Sequence, residues 1–379
     1  MDSITSPEDE DHDLIFSHLP PFPSDVPTVP LVRISLAKLL SNDPMEEEEK
    51  LWRACCDLGF FYLDCRGGNS KIPRISGDSL LHSANEVFDL AEELFDLAVE
   101  EKCQYDMMMM MMGERSYFGY KGYGKGVMDD KGTRDRNEFW NVSKDDILGI
   151  SERLRNPDVL RKEGNRGKIG GFMVQSHAVV TVILGKLEKG LGLAGGGLRD
   201  LHRLEAVSGD QVRWVKSAPQ EVHDRRAALG EHTDFGSVTV LFNRLGGLQV
   251  LRPDTEEWAY VKPLKGHCVV NLGDAMVKFT AGILRSNVHR VVNPPGEQQN
   301  ETRYSLVYFS RPADEVVLKV LEGSEMIDQK RRETPQVESG EEMTAKEWIL
   351  RRAMGRRAGG EWVKGQGTDK ERLEKRDRS

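Results

Sequence analysis

Between Gln211 and Phe309 the chain reads as a series of short strands with Gly and Pro between them, and no other feature narrows its fold so far. Ser237 to Phe242 alternates, with Val238, Val240 and Phe242 on one side. Leu248–Leu251, Trp258–Val261, Cys268–Leu272 and Tyr304–Phe309 follow at turn-separated intervals. A run of this kind closes into a sandwich or jelly roll.

Upstream the pattern is helical. Val26 to Val32, with two prolines and several β-branched residues, suits an extended strand at a sheet edge. A helix follows, with Asp43 as cap, Pro44 in the first turn and Glu46 completing a capping box. Gly59 ends it, and Phe60-Phe61-Tyr62-Leu63 reads as a buried strand. Ala84, Val87, Phe88, Ala91, Leu94, Phe95 and Ala98 mark one face of a second helix; Val179, Val180, Ile183, Leu184, Leu187 and Leu191 mark a third. The expected class is therefore mainly β with flanking helices (α+β), helices first and the β core after. The expected divisions are a disordered acidic tail over 1–25, an N-terminal region of helices and strands over 26–205, a β core over 206–315, and a C-terminal helical extension with charged tail over 316–379.

Composition excludes some functions. A net charge of −9 argues against a general nucleic-acid binder. No apolar run approaches the ~20 residues that span a bilayer, and residues 1–25 lack the basic start of a secretory signal. Five cysteines without CxxC spacing fit a reducing, cytoplasmic setting. The expectation is a monomer acting on a small molecule, without nucleic acid or membrane. Met107–Met112 is a methionine run that reads as a surface insertion; consecutive residues cannot all face one Cu(I) ion. Arg351 to Ser379 is basic and reads as a charged helix with a frayed end.

The chemistry lies in His232-Thr233-Asp234 and the distant His289. Two imidazoles and a carboxylate on one face of a six-coordinate ion form the arrangement of non-haem Fe(II) oxygenases. On a strand, residues i and i+2 share a side, so His232 and Asp234 reach one metal while Thr233 points away. Downstream, Arg303 and Ser305 share a strand face by the same rule. A guanidinium fork beside a hydroxyl suits a carboxylate.

In these residues the chain resembles the 2-oxoglutarate- and Fe(II)-dependent oxygenases of the isopenicillin N synthase-like group. The resemblance covers roughly residues 26 to 315. It rests on Leu229-Gly230-Glu231-His232-Thr233-Asp234, Gly246-Gly247-Leu248-Gln249-Val250, Val270-Asn271-Leu272-Gly273-Asp274, Ser286-Asn287-Val288-His289-Arg290-Val291 and Arg303-Tyr304-Ser305. Gly59-Phe60-Phe61-Tyr62-Leu63 and Ser116-Tyr117-Phe118-Gly119-Tyr120 match in the N-terminal half. The resemblance implies a double-stranded β-helix core wrapped by helices. It implies that His232, Asp234 and His289 are catalytic and bind Fe(II), and that Arg303 and Ser305 bind the far carboxylate of 2-oxoglutarate. O2 is then the oxidant, with ascorbate as a reductant. Oxidative decarboxylation to succinate and CO2 would drive hydroxylation, desaturation or ring closure of a small organic molecule, in secondary metabolism. One departure stands out: Ser217 occupies a position where many relatives carry a Tyr that contacts the cosubstrate.

Three rival readings remain at this level. An oxidase of the same fold would use Arg303 and Ser305 to grip the substrate's own carboxylate. A binding protein with an inert metal site has no need of three convergent ligands plus a clamp. A zinc hydrolase leaves the Arg unexplained. Phe118, Tyr120, Phe139 and Trp140 border the substrate mouth in the family, though core packing accounts for each singly. His177, His202, His223 and His267 read as packed or surface histidines, Asp274 as a turn residue, and Gly195-Gly196-Gly197 as a linker.

Overall fold

Among the described residues fourteen strands carry the architecture, in chain order β1 (Arg33–Ser35), β2 (Phe60–Asp64), β3 (Asn69–Ser70), β4 (Ile75–Ser76), β5 (Gly119–Lys121), β6 (Glu138–Ser143), β7 (Gln211–Ser217), β8 (Leu229–His232), β9 (Val238–Asn243), β10 (Leu248–Leu251), β11 (Trp258–Tyr260), β12 (His267–Leu272), β13 (His289–Val291) and β14 (Arg303–Ser310). The computed structural model describes residues 14–70, 75–107, 117–127, 132–195, 197–220, 227–334 and 342–355. Eight strands form one sheet in the order β1-β2-β12-β9-β14-β7-β6-β5, and four form a second in the order β11-β10-β13-β8. The first pair, β1 with β2, is parallel. The other pairs of the large sheet and those of the small one are antiparallel.

Period-2 alternation gives the large sheet two different faces. Phe61, Trp140, Trp214, Val240, Val270 and Leu306 point outward into the main core. There they meet three helices, α1 (Met45–Asp57), α2 (Gly77–Phe95) and α3 (Glu163–Leu191). Trp140 and Trp214 are fully buried; at 150–250 Å² each they contribute up to about 4–6 kcal/mol apiece by area. The alternate residues Phe60, Tyr62 and Val269 point inward and pack on Leu248, Val250 and Ala259 of the second sheet. The result is the expected jelly roll, helices on one side and a partly open interior on the other.

Several expectations shift. The β core does not begin at Gln211, because β1, β2, β5 and β6 of the N-terminal half pair into the same sheet. The leading strand is Arg33–Ser35 rather than Val26–Val32; the earlier prolines leave only a bridge from Thr28 to Tyr260. Helix α1 starts at Met45 after Pro44, with no side-chain cap, so Asp43 does not cap it. Its first turn instead carries Glu46, Glu47 and Glu48 against the positive helix end. α3 is long and apolar enough to cross a membrane, yet Ile169, Phe172, Val179, Val180 and Ile183 along it are fully buried in the core.

The acidic lead-in is not loose throughout. Leu14 is buried, and its carbonyl accepts from the Lys265 N–H at 2.7 Å. Phe22 meets Tyr260 edge to face. The Gln298 amide donates to Pro20 O at 2.8 Å while its oxygen accepts from Gly246 N–H at 2.9 Å. Leu14, Phe16, Leu19 and Phe22 give this stretch apolar area that acidic composition hides. Residues 1–13 lie outside the described residues. Met107 is buried and its sulfur accepts from Asn141 Nδ2, so the run begins inside the fold; Met108–Met112 lie outside the described residues. A short helix, α4 (Asp274–Phe279), follows β12, and another, α5 (Ala345–Gly355), carries the start of the basic tail.

Candidate metal centre and cosubstrate clamp

β8 and β13 run antiparallel and place His232 directly opposite His289. Their rings lie 4.2 Å apart between centroids. His232 Nδ1 sits 2.8 Å from Gly230 O and His289 Nδ1 sits 3.1 Å from Asn287 O. Each contact needs a proton on Nδ1, which leaves both Nε2 lone pairs for the interior. Asp234 lies past the end of β8 rather than in it. Its placement therefore comes from bonds and not from strand period. The Asp274 N–H donates to Asp234 O at 2.7 Å. Thr239 Oγ1 and Asn271 Nδ2 donate to Asp234 Oδ2 at 2.7 and 2.8 Å. With Oδ2 occupied, Oδ1 is turned to the histidines, 3.9 Å from each Nε2.

These three ligand atoms lie within 4.8 Å of one another. Two neutral imidazole nitrogens and a carboxylate oxygen suit a divalent transition metal and leave room for further ligands. Burial on its own would raise the Asp234 carboxyl; the positive charge that His289 and His232 carry when protonated, then the hydrogen bonds from Asn271 and Thr239, outweigh it and hold the group below the ordinary carboxylate range. It is ionised and ready for a cation. Thr233 points away, as expected, and its hydroxyl donates to Asp274 Oδ2 at 3.1 Å. Gly273 is required by close approach: a Cβ there would overlap Gly236 O and stand 2.8 Å from Asp234 O.

Arg303 and Ser305 occupy the inward face of β14. Arg303 is 2% exposed. Its Nε donates to Gly246 O and its Nη1 to Ser305 Oγ, both at 2.6 Å. Among the described residues no carboxylate pairs with it. Burial pulls the guanidinium down to about 10, which still leaves it protonated at neutral pH. A buried cation without a counter-charge is costly unless an anion joins it. Gly247, at φ +105°, makes room: a Cβ would lie 2.6 Å from Val292 O and 3.2 Å from Arg303 Nε. Ser217 stands directly across from Arg303 in the sheet, and its hydroxyl is buried without a hydrogen-bond partner among the described residues.

The clamp and the triad share one chamber. On β9, Asn243 faces Ser305 and Thr239, which holds Asp234, faces Phe309. Those four steps along the strand span on the order of 13 Å, a distance that a long Arg side chain and a five-carbon diacid bridge together. Leu241 between them, Val215 and Arg213 are only half-buried, which marks the open interior. The Arg213 guanidinium stacks between Phe139 and Phe309, 4.3 and 4.9 Å from their centroids, with Nε on Asn141 Oδ1.

Of the mouth aromatics, only Phe139 faces this chamber among Tyr120, Phe139 and Trp140; the other two lie in the outer core. Phe118 packs on Tyr117. His177 bonds the His202 carbonyl, and His202 is buried between Leu198 O and Ser237 Oγ. His267 packs near Asp64 and Arg33. None of these three joins the triad; His223 lies outside the described residues. Asp274 is more than a turn residue, since it anchors both Thr233 and Asp234. Sequence reading also passed over Asn271 and Thr239. Their signal was a polar side chain on the inward face of an apolar strand.

Such a jelly roll, with two histidines and an aspartate opposite a buried arginine, defines the non-haem iron oxygenases that use an anionic cosubstrate. The model of the 2OG-Fe(II) oxygenase superfamily matches residues 208–312, and that of the non-haem dioxygenase in morphine synthesis N-terminal region matches 29–163. A 2-oxoglutarate-dependent dioxygenase of Aspergillus fumigatus is 31% identical over 81% of this chain and 81% of its own length. Another, frbH of a Dothideomycetidae species, is 32% identical over 77% of this chain and 85% of its own. The chain belongs to the 2-oxoglutarate- and Fe(II)-dependent oxygenase superfamily. It is an oxidoreductase, a dioxygenase that uses Fe(II), 2-oxoglutarate and O2. In fold it resembles a full-length Neurospora crassa protein solved in complex with alpha-KG, with TM-score 0.67 and 22% identity over 85% of this chain and 95% of that one. It likewise resembles the rice dioxygenase for auxin oxidation, with TM-score 0.62 and 23% identity over 87% and 97%.

Proposed function

We propose that His232, Asp234 and His289 hold the iron, that Arg303 and Ser305 hold the far carboxylate of 2-oxoglutarate, and that the chain oxidises a small organic molecule of secondary metabolism in the cytoplasm, as a monomer. The observation that carries the clamp assignment is Arg303, a buried cation on the chamber wall with no acidic partner among the described residues. The metabolic setting is supported by the match to a region named for morphine synthesis. The free thiols of Cys55, Cys56, Cys65, Cys103 and Cys268 support a reducing compartment.

Bound Fe(II) supplies the activation of O2 that couples decarboxylation of 2-oxoglutarate to substrate oxidation. The chain's own groups hold and orient. His232 and His289 present Nε2, fixed by their backbone carbonyl partners. Asp234 offers Oδ1 because Thr239 and Asn271 occupy Oδ2. Arg303 and the Ser305 hydroxyl fix one end of the cosubstrate, and the Ser217 hydroxyl across the sheet is a further donor for it. Phe139, Arg213 and Phe309 wall the remaining space for substrate.

The test is an anaerobic titration of the metal-free protein with Fe(II) and then 2-oxoglutarate. A weak visible charge-transfer band that requires both, and that is absent in His232→Ala, is expected. Iron binding with no such band would turn the reading toward an oxidase that grips its substrate's own carboxylate.

A further inference from the structure

The segment Thr233-Asp234-Phe235 is held at each residue, and the C-terminal helix has a hand in the hold. Thr233 donates to Asp274 Oδ2 at 3.1 Å. Asp234 accepts from the Asp274 N–H. Phe235 O accepts from Trp348 Nε1 on α5 at 3.0 Å. One helical turn on, Arg352 donates through Nη2 to the same Asp274 Oδ2, again at 3.1 Å. Arg352 is 4% exposed and Asp274 fully buried. Nε and Nη1 of Arg352 have no hydrogen-bond partner among the described residues, where its polar contact is spent on this carboxylate. Its guanidinium also lies 5.8 Å from the Phe235 ring and 5.2 Å from that of Trp348.

α5 is seated independently of these contacts. Ala345, Ile349 and Ala353 are buried, and Ala345 N–H donates to Val316 O at 2.7 Å. The helix thus brings a cation to a buried carboxylate that also accepts from Thr233, the neighbour of a triad ligand. Stacking and Trp348 explain why the helix docks here. They do not explain a buried Arg with two nitrogens, Nε and Nη1, that find no acceptor among the described residues, which an apolar side chain would replace at lower cost.

We propose that Arg352 is a positioning residue for the metal centre: by pairing with Asp274 it fixes the Thr233–Asp234 turn, so that the triad takes its binding geometry only when α5 is docked. The inference rests on the assignment of His232, Asp234 and His289 as metal ligands. A partner this close to a ligand moves metal affinity about 10- to 100-fold when removed.

The experiment measures anaerobic Fe(II) dissociation constants on the full chain for wild type, Arg352→Met, Arg352→Lys and Trp348→Phe, with circular dichroism and a thermal melt on each. His232→Ala is the control for the triad itself. The expected result is native-like dichroism in Arg352→Met with iron binding about 10- to 100-fold weaker, and substantial recovery in Arg352→Lys. Asp274→Asn should weaken iron binding alone, and combining it with Arg352→Met should add little more, because both remove one pair. Wild-type affinity in folded Arg352→Met overturns the inference, and so does equal loss in the Lys and Met variants. If Arg352→Met does not fold, Trp348→Phe decides: it releases Phe235 while keeping the ring, and must weaken iron binding for the inference to stand. Unchanged iron binding in His232→Ala would instead overturn the triad assignment, a separate outcome.

Discussion

Replacing Arg303 by Met separates what this residue does for binding from what it does for folding. A guanidinium has five N–H groups. Nε is used by Gly246 O and one Nη1 proton by Ser305 Oγ, which leaves three for a ligand. A carboxylate taking two of them gains about 1.5–3 kcal/mol from each. The loss on substitution is therefore roughly 3–6 kcal/mol, or about 100- to 20,000-fold in affinity for 2-oxoglutarate. The unliganded protein should barely notice. Removing a buried cation with no counter-charge relieves it, while Gly246 O and Ser305 Oγ each lose a donor at about 1–3 kcal/mol. These effects oppose one another, and the net change should stay within about 2 kcal/mol. Thermal melts of the Fe(II) form under anaerobic conditions read both quantities. At 2-oxoglutarate near 100 times the wild-type dissociation constant, binding stabilises by about 2.7 kcal/mol, some ~5 °C at roughly 2 °C per kcal/mol. For Arg303→Met at the same concentration, binding contributes less than about 0.4 kcal/mol, so the shift should fall below about 1 °C. A variant that keeps the full 2-oxoglutarate shift would refute the reasoning and leave Arg303 a structural role.

Gly273→Ala should weaken Fe(II) binding without unfolding the sheet, because the added methyl collides with Gly236 O and Asp234 O; calorimetry of metal binding checks it, and unaltered affinity would count against the tight packing of this turn. Ser217→Ala should lower affinity for 2-oxoglutarate only a few-fold, about 1 kcal/mol, read by the same charge-transfer titration. Burial pushes the His202 imidazole down to about 4, against gains from Leu198 and Asp210. The unfolded chain then binds the extra proton first as pH falls from about 6.5, so this group's contribution is complete above that value and is lost by about pH 4, amounting to about 3 kcal/mol. Denaturant unfolding across that range should show the slope, and His202→Gln should flatten it.

The strands of the core were legible because β9 alternates openly, one residue in two being forced to an apolar face, while β10, β12 and β14 stand out as short runs bounded by turn residues. The triad was legible because metal chemistry admits few residue types. Where reading failed, the missing information was tertiary. β5 is short, and β5 and β6 join the sheet only through β7. Asp234 looked like a strand residue, but contacts from Thr239, Asn271 and Asp274 place it. Arg352 and Asp274 lie far apart in sequence, and neither carries a local sign of the other. Asp43 failed for a local reason, since Pro44 itself takes the capping position.

The seated part of the acidic lead-in has a consequence for anyone handling this chain. A composition profile invites trimming at about residue 25. That cut would remove Pro20, whose carbonyl steadies the Gln298 amide, whose oxygen in turn steadies Gly246, whose carbonyl holds Arg303. The lead-in is thus the outermost link of a relay that ends at the cosubstrate. A trimmed protein would retain its sheets and its histidines and still bind 2-oxoglutarate poorly, and the defect would be misread as the wrong choice of cosubstrate.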